Sequence, residues 1–222
     1  QGNLSVHTSH AEGTDPILKL PPECLIPTKA FELSIIDGNL KVTSHKPDLS
    51  QARVDLLETT LDLFNLTNKL AKHENTSLWS LGKHLPEFLH HILQGRSRQV
   101  YRELEDYLDD EGAHEQLIIR SLLKTRTIGF TTDLDSPERT QMLMPIVDLA
   151  NHHPHAPTYT NYVDQFGHAL LTIEKFCADS GTGECSVRYG YYDALDLYMI
   201  YGYLDENTFF VRSIPMDIII PD

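Results

Sequence analysis

Residues 143–162, LMPIVDLANHHPHAPTYTNY, place polar groups that could do chemistry directly after an apolar run. The polar residues there are Asp148, Asn151, His152, His153 and His155. Histidines this close together could bind a metal ion, exchange protons or hold a ligand by hydrogen bonds. A simpler interpretation is a buried segment, Pro145 to Ala150, followed by a loop, and this stretch alone does not exclude it.

The spacing does not favour a metal site. The three histidines are too close to be ligands one helical turn apart, and Pro154 interrupts any helix there. No cysteine pair or glutamate-rich segment lies nearby in the sequence. We therefore predict no metal site in this segment.

Motifs for nucleophilic catalysis and phosphate binding are also missing from the sequence. There is no Gly-x-Ser-x-Gly segment, and no cysteine has a motif-like setting. The turn at Gly181-Thr182-Gly183 lacks the lysine and the strand-to-helix context of a phosphate-binding loop. These two chemistries are therefore not predicted.

Composition restricts the partners and the compartment. A formal net charge of −14 argues against nucleic-acid binding and is compatible with a basic partner. The cysteines, Cys24, Cys177 and Cys185, indicate reduced thiols in an intracellular protein, cytoplasmic or nuclear. No apolar run reaches the roughly 18 residues that span a bilayer, so no membrane partner is predicted. The oligomeric state is not predicted.

The elements that must position these residues change type along the chain. Short strands are predicted over the first 45 residues, with a turn signal at Asp37-Gly38, and then a helix from Ser50 to about Lys72 with Ser50 as its N-cap. Further helices are predicted near 86–94, 97–109 and 114–125. Strands return after Phe130, and a last helix begins at Asp193 as its N-cap. The order predicts an α+β fold: one domain over 1–222 with a helical insert at 50–125.

Several motifs in this order match one family. PIVDLANHHPHA (145–156) resembles the Pro-x-x-Asp-x-x-Asn-His segment of SET-domain protein methyltransferases. The subgroup with the Rubisco large-subunit lysine methyltransferase and the actin histidine methyltransferase is the most similar. Its later motifs correspond here to Gly183-Glu184, Tyr189-Gly190, Asp196 and Tyr201-Gly202-Tyr203. SLWSLGKHLPEF (77–88) and LLKTRTIGF (122–130) resemble its upstream motifs.

The resemblance implies a fold and a pair of catalytic positions. The fold is the β-rich SET fold, in which the C-terminal segment threads past the Asn-His loop in a pseudoknot-like crossing. Tyr189 matches the catalytic tyrosine, and Tyr201 matches a second tyrosine that lines the channel. His153 and His155 would be loop residues without an assigned role.

The resemblance also implies S-adenosyl-L-methionine as the methyl donor. Asn151 and His152 would hold its amino group and adenine, and Arg126 would bind its carboxylate. Asn3 and Leu4 fall in the N-terminal donor loop, which is Gly-x-Gly-Leu in the family. No metal or covalent intermediate is required by methyl transfer of this kind.

Two functions follow from these matches. The first is N-methylation of a lysine, with histidine as second choice, in a protein or peptide substrate. A basic substrate would suit the acidic surface of this chain. The second is a SET-derived protein that has lost methyl transfer and serves as a binding module, or uses the channel for another ligand or reaction. The second is motivated by Gln1 and Asn3, which stand where the family has glycines. The expected C-terminal docking domain is also absent from these 222 residues.

Overall fold

The structure is a computed structural model, and the chain divides by compactness into two units. The residues described are 5–7, 18–96, 98–108, 110–131, 138–163, 169–174, 176 and 183–208. The first unit comprises Gln1–Leu33, Leu40–Thr67 and Arg126–Tyr191. The second comprises Ser34–Asn39, Asn68–Thr125 and Tyr192–Asp222. A single domain over 1–222 with an insert at 50–125 stays a prediction.

Short strands and medium-length helices alternate in blocks. In chain order the strands are β1 Val6–His7, β2 Leu18–Leu20, β3 Ile26–Pro27, β4 Phe31–Ile36, β5 Asn39–His45, β6 Thr127–Phe130, β7 Thr140–Leu143, β8 Asn151–His152, β9 Thr160–Val163, β10 Ala169–Ile173 and β11 Glu184–Val187. The α-helices are α1 Gln51–Leu66, α2 Lys69–Thr76, α3 Glu87–Arg96, α4 Arg98–Leu108, α5 His114–Lys124 and α6 Ala194–Tyr201. This content confirms the predicted α+β class.

The described residues of the first unit form three-stranded sheets with the strand orders β1-β11-β8, β2-β10-β9 and β3-β7-β6. In the first of them β11 pairs antiparallel with β1 and parallel with β8. The parallel register sets Ser186 opposite Asn151 and Val187 opposite His152. The segment after Cys185 therefore runs beside the Asn-His pair, as predicted, while threading as a pseudoknot stays a prediction.

A buried apolar cluster joins these sheets. Its members are Leu20, Leu25, Phe130, Met144, Val147, Ala150, Leu171, Ile173 and Val187. Because they come from distant parts of the chain, burying their apolar surface holds the first and last strands of the unit together. Tyr189 packs against this cluster while still half-buried. The apolar run before the Asn-His pair is therefore core, as its composition indicated.

The turn between β4 and β5 confirms the Asp-Gly signal. Asp37 has φ 51° and Gly38 has φ 74°. Positive φ at both central residues is the conformation that suits a two-residue hairpin, and Asp-Gly tolerates it. In the first unit, the Asn65 side chain of α1 accepts from the Leu40 backbone N–H at 2.9 Å and donates to the Leu40 carbonyl at 3.1 Å.

The long helix predicted from Ser50 breaks earlier than its apolar pattern indicated. α1 ends at Leu66, and Asn68 takes the left-handed conformation with φ 53° before α2 begins. Asparagine adopts that conformation more readily than most residues, so it can separate two helices. Ser50 is the residue before α1, but its side chain makes no capping hydrogen bond.

In the second unit, a separate buried cluster lies around Trp79. The prediction for its last helix is confirmed, because Asp193 and Asp196 form a capping box at the start of α6. Arg96, at the end of α3, contacts Asp193, and its Nε lies 3.3 Å from Asp196 Oδ1. These three side chains are buried, so the ion cluster fixes where α6 begins.

Across the described ranges no helix is both long and apolar enough to cross a membrane.

Candidate functional site

Four of the predicted site residues lie in the first unit: Arg126, Asn151, His152 and Tyr189. Asn151 and His152 form β8, and Tyr189 comes two residues after β11. Because β8 and β11 are parallel neighbours, residues 33 to 38 positions apart in sequence meet at one sheet edge. The sheet therefore explains how the two distant motifs come together.

Tyr189 is fixed to the Asn-His segment at three points. Its hydroxyl donates to the Ala150 carbonyl oxygen at 3.0 Å, and its backbone N–H donates to His152 Nδ1 at 3.2 Å. The two rings also pack together, with centroids 5.2 Å apart. Since Nδ1 of His152 accepts, a neutral ring carries its proton on Nε2. The backbone and the side chain of Tyr189 are both held by the same short strand region.

The Tyr189 phenol stays protonated at neutral pH. Burial raises its pKa above the usual 10.0, the Arg126 guanidinium lowers it, and the Asp148 carboxylate raises it again, with burial the largest effect. A neutral phenol can donate one hydrogen bond and accept others, but it does not serve as a base. The group is therefore suited to orienting a ligand.

Arg126 has a spare donor at this site. One terminal nitrogen donates to the Asp148 carbonyl oxygen at 2.9 Å. Its Nε is buried and has no hydrogen-bond acceptor among the described residues. A buried N–H without an acceptor is costly, and a guanidinium is shaped to bind a carboxylate. The site thus fits a ligand that carries a carboxylate, such as the implied methyl donor.

Asn151 is exposed and donates from Nδ2 to Glu184 Oε1 at 2.6 Å. The bond ties β8 to the first residue of β11 and leaves the amide oxygen of Asn151 as an acceptor. Sequence reasoning matched the Gly183-Glu184 pair to a motif but assigned no contact to Glu184. The only signal for that contact was the shared motif order, since strand pairing was not readable from the sequence.

The backbone just before Asp148 is strained. Ile146 has φ 74° and ψ −49°, and its side chain is 54% exposed. A β-branched residue at positive φ is a clear outlier, and such residues cluster at functional sites. A short 3-10 turn, Val147–Leu149, follows and leads into the Asn-His strand. This strained turn sets the position of the Ala150 carbonyl that receives the Tyr189 hydroxyl.

The remaining predicted site residues lie in the second unit or outside the described residues. Tyr201 is the last residue of α6 in the second unit, with its ring 5.9 Å from that of Tyr192 and 6.3 Å from that of Tyr203. Its role in the same channel as Tyr189 stays a prediction. Asn3 and Leu4 lie outside the described residues.

The two other histidines of residues 143–162, His153 and His155, form an aromatic cluster in the first unit. The ring of His153 lies 5.6 Å from that of His155 and 5.0 Å from that of Phe176. The His153 backbone N–H donates to the Val187 carbonyl at 3.1 Å, which fastens this loop to β11. Within the described ranges, no group of three or more His, Cys, Asp or Glu residues could hold a metal ion.

Comparison with known proteins gives one kind of match. No family model matches the chain, and no curated protein matches it. Among solved structures 12 chains match, one of them described as the crystal structure of the SET domain of LSMT bound to lysine and AdoHcy. It shares 14% identity and a TM-score of 0.39, over 92% of this chain and 54% of that chain.

This chain therefore spans about half the length of that solved structure.

Proposed function

We propose that the protein is an S-adenosyl-L-methionine-dependent N-methyltransferase acting on a lysine side chain of a protein or peptide, with histidine as second choice. The observation that carries this proposal is the attachment of Tyr189 to the Asn-His segment by the Ala150 and His152 hydrogen bonds. It joins the two motifs that the family resemblance marks as catalytic and donor-binding.

The donor side of the site is built from Arg126, Asn151 and His152, together with the proposed donor loop. When bound, S-adenosyl-L-methionine supplies a methyl group on a sulfonium, ready for displacement. Arg126 binds its carboxylate through the unsatisfied Nε, and the charge-assisted bond relieves a buried donor. Asn151 and His152 contact the amino group and adenine. Asn3 and Leu4 belong to the proposed donor loop.

The acceptor side is built around Tyr189. Its hydroxyl donates its proton to the Ala150 carbonyl, so towards an incoming amine the phenol oxygen acts as an acceptor of an N–H. The lysine must be neutral and aligned about 3 Å from the methyl carbon. The flat ring excludes water, and desolvation lowers the pKa of a lysine ammonium, which helps it lose its proton. Tyr201 is proposed as a second wall of the channel.

The deciding test pairs donor affinity with methyl transfer. Titration calorimetry with S-adenosylhomocysteine should show binding, and labelled donor should transfer methyl groups to lysine peptides or to a cell lysate. Tyr189→Phe should lower turnover by about 100-fold and leave donor affinity unchanged, since it removes an interaction made mainly in the transition state.

A matched control for this variant is Tyr101→Phe. It removes a phenol that hydrogen-bonds to His90 Nδ1 at 3.2 Å in the second unit, and turnover should not change. Donor binding without any transfer by the wild type would favour the alternative, a SET-derived protein that has lost the reaction. Absence of donor binding would reject the proposed cofactor.

A second prediction concerns Asn151. Asn151→Ala should weaken binding of the methyl donor by roughly 1–3 kcal/mol, because a polar group of the bound molecule loses its hydrogen bond. The measurement is the same calorimetric titration, with circular dichroism as a check of the fold. Asn65→Ala is a control, since the described side-chain hydrogen bonds of Asn65 join it to Leu40, which is not part of the Asn-His strand. Equal donor affinity for Asn151→Ala and the wild type would contradict the assignment of Asn151.

A further inference from the structure

Among the described residues, Arg188 has no anionic partner, although the formal net charge of the chain is −14. Its backbone N–H donates to the Pro157 carbonyl at 3.0 Å, so the strand end is fixed. Its guanidinium makes no hydrogen bond or ion pair with any described residue, and its Nε is buried. In a chain with 32 acidic residues, an arginine that pairs with no described carboxylate is a candidate site for an external anionic partner.

The guanidinium is held in place by an aromatic ring. Arg188 Cζ lies 4.3 Å from the centroid of the Tyr191 ring, whose side chain is 69% exposed. Such stacking covers one face of the guanidinium without using its N–H donors. Those donors form a planar fork, which matches the two oxygens of a carboxylate. The pair is therefore preorganised to bind a carboxylate at the surface of the first unit.

The donor carboxylate and the carboxylate bound by this pair are assigned to different arginines. Arg188 directly precedes Tyr189, just after the end of β11. Tyr189 packs against the core cluster, whereas Arg188 stacks on the exposed ring of Tyr191. The donor carboxylate is assigned to Arg126, whose nearest contact is the Asp148 carbonyl. Arg188 is left for a group outside the reacting centre.

We propose that Arg188 and Tyr191 bind an acidic side chain of the peptide substrate, close in sequence to the lysine that is methylated. The inference rests on the proposed function and specifies its substrate class. It refines the expectation of a basic partner: the target lysine suits the acidic surface, while a neighbouring Asp or Glu pairs with this one arginine. Because the donor carboxylate is assigned to Arg126 and the reacting centre to Tyr189, the pair acts on substrate binding and not on turnover.

The test uses two fluorescein-labelled peptide libraries, each with a fixed central lysine. Positions beside the lysine are Asp or Glu in the first library and Asn or Gln in the second. Fluorescence anisotropy without donor should show that the wild type binds the acidic library about 10-fold more tightly, the size expected for a charge-assisted contact. Arg188→Met should abolish the preference, and Arg188→Lys should keep only part of it.

The matched control is Arg120→Met. Arg120 also stacks on a tyrosine, with Cζ 4.9 Å from the Tyr107 ring centroid, but it lies in the second unit on α5. The preference should survive this change. Tyr191→Ala is a second variant at an exposed position and should weaken binding of the acidic library without disturbing the core.

Three outcomes would overturn the inference: equal binding of the two libraries by the wild type, loss of the preference in Arg120→Met, or no binding of either library below about 1 mM. A loss of S-adenosylhomocysteine affinity in Arg188→Met with the peptide preference intact would assign the arginine to the donor carboxylate instead, and would also overturn it. Methyl transfer is measured separately. Failure of transfer with the peptide preference intact would reject the proposed function and leave the carboxylate site standing.

Discussion

The Tyr189 hydroxyl also stabilises the fold, because it donates its proton to the Ala150 carbonyl. Replacing the phenol by phenylalanine leaves that carbonyl without its donor but keeps the ring against the core. We expect Tyr189→Phe to lower the free energy of unfolding by about 1 kcal/mol at neutral pH. Urea unfolding of both proteins measures this difference directly.

The same substitution should change the response to alkaline pH. Burial raises the Tyr189 pKa in the folded protein, while the unfolded phenol ionises near 10.0. Above that pH the unfolded state binds fewer protons than the folded state, so the stabilisation present below pH 10.0 is lost as pH rises towards the folded pKa. The stability advantage of the wild type over Tyr189→Phe should therefore be smaller at about pH 11 than at about pH 8. A difference that stays constant with pH would contradict the raised pKa.

The last helix depends on a glycine at its end. Gly202 has φ 77° and caps α6, and its N–H donates to the Tyr198 carbonyl. A Cβ built there would lie 2.6 Å from the Thr76 backbone oxygen in the same unit. Glycine is therefore required twice, by the left-handed backbone and by the close approach of α2.

Gly202→Ala and Gly38→Ala separate these two requirements. Gly38 has nearly the same φ, 74°, but a Cβ there would meet nothing within 4 Å. Gly38→Ala should cost about 1–2 kcal/mol for the backbone alone, whereas Gly202→Ala should cost about 2 kcal/mol more because backbone must move. Thermal or urea unfolding of the two variants checks the difference. Equal costs would show that the contact with Thr76 relaxes freely.

Because the formal net charge is −14, the negative charges of the protein repel one another. Self-repulsion disfavours a compact state, and salt screens it, shortening the Debye length from about 30 Å at 0.01 M to about 3 Å at 1 M. We expect the thermal midpoint to rise as NaCl increases over that range. A neutral osmolyte at equal osmolarity is the control. A midpoint that falls with salt would show that specific ion pairs, such as those of Arg96, outweigh the net repulsion.

Local patterns in the sequence were sufficient to predict a turn and the start of a helix. Asp37-Gly38 predicted the turn between β4 and β5, and Asp193 with Asp196 predicted the start of α6. Each depends on contacts within a few residues, where backbone preference and capping dominate. The break at Asn68 was missed, because the apolar stripe continues across it while one left-handed residue ends the helix.

Contacts between residues far apart in the sequence could be identified only from the folded structure. The parallel pairing of β8 with β11 brings Tyr189 against His152, a contact that no local preference encodes. The spare donors of Arg126 and Arg188 are equally invisible in the sequence, which shows an arginine but not whether a carboxylate reaches it. Burial and partner choice are properties of all the packed neighbours together, so they are fixed only when the strands meet and water is excluded.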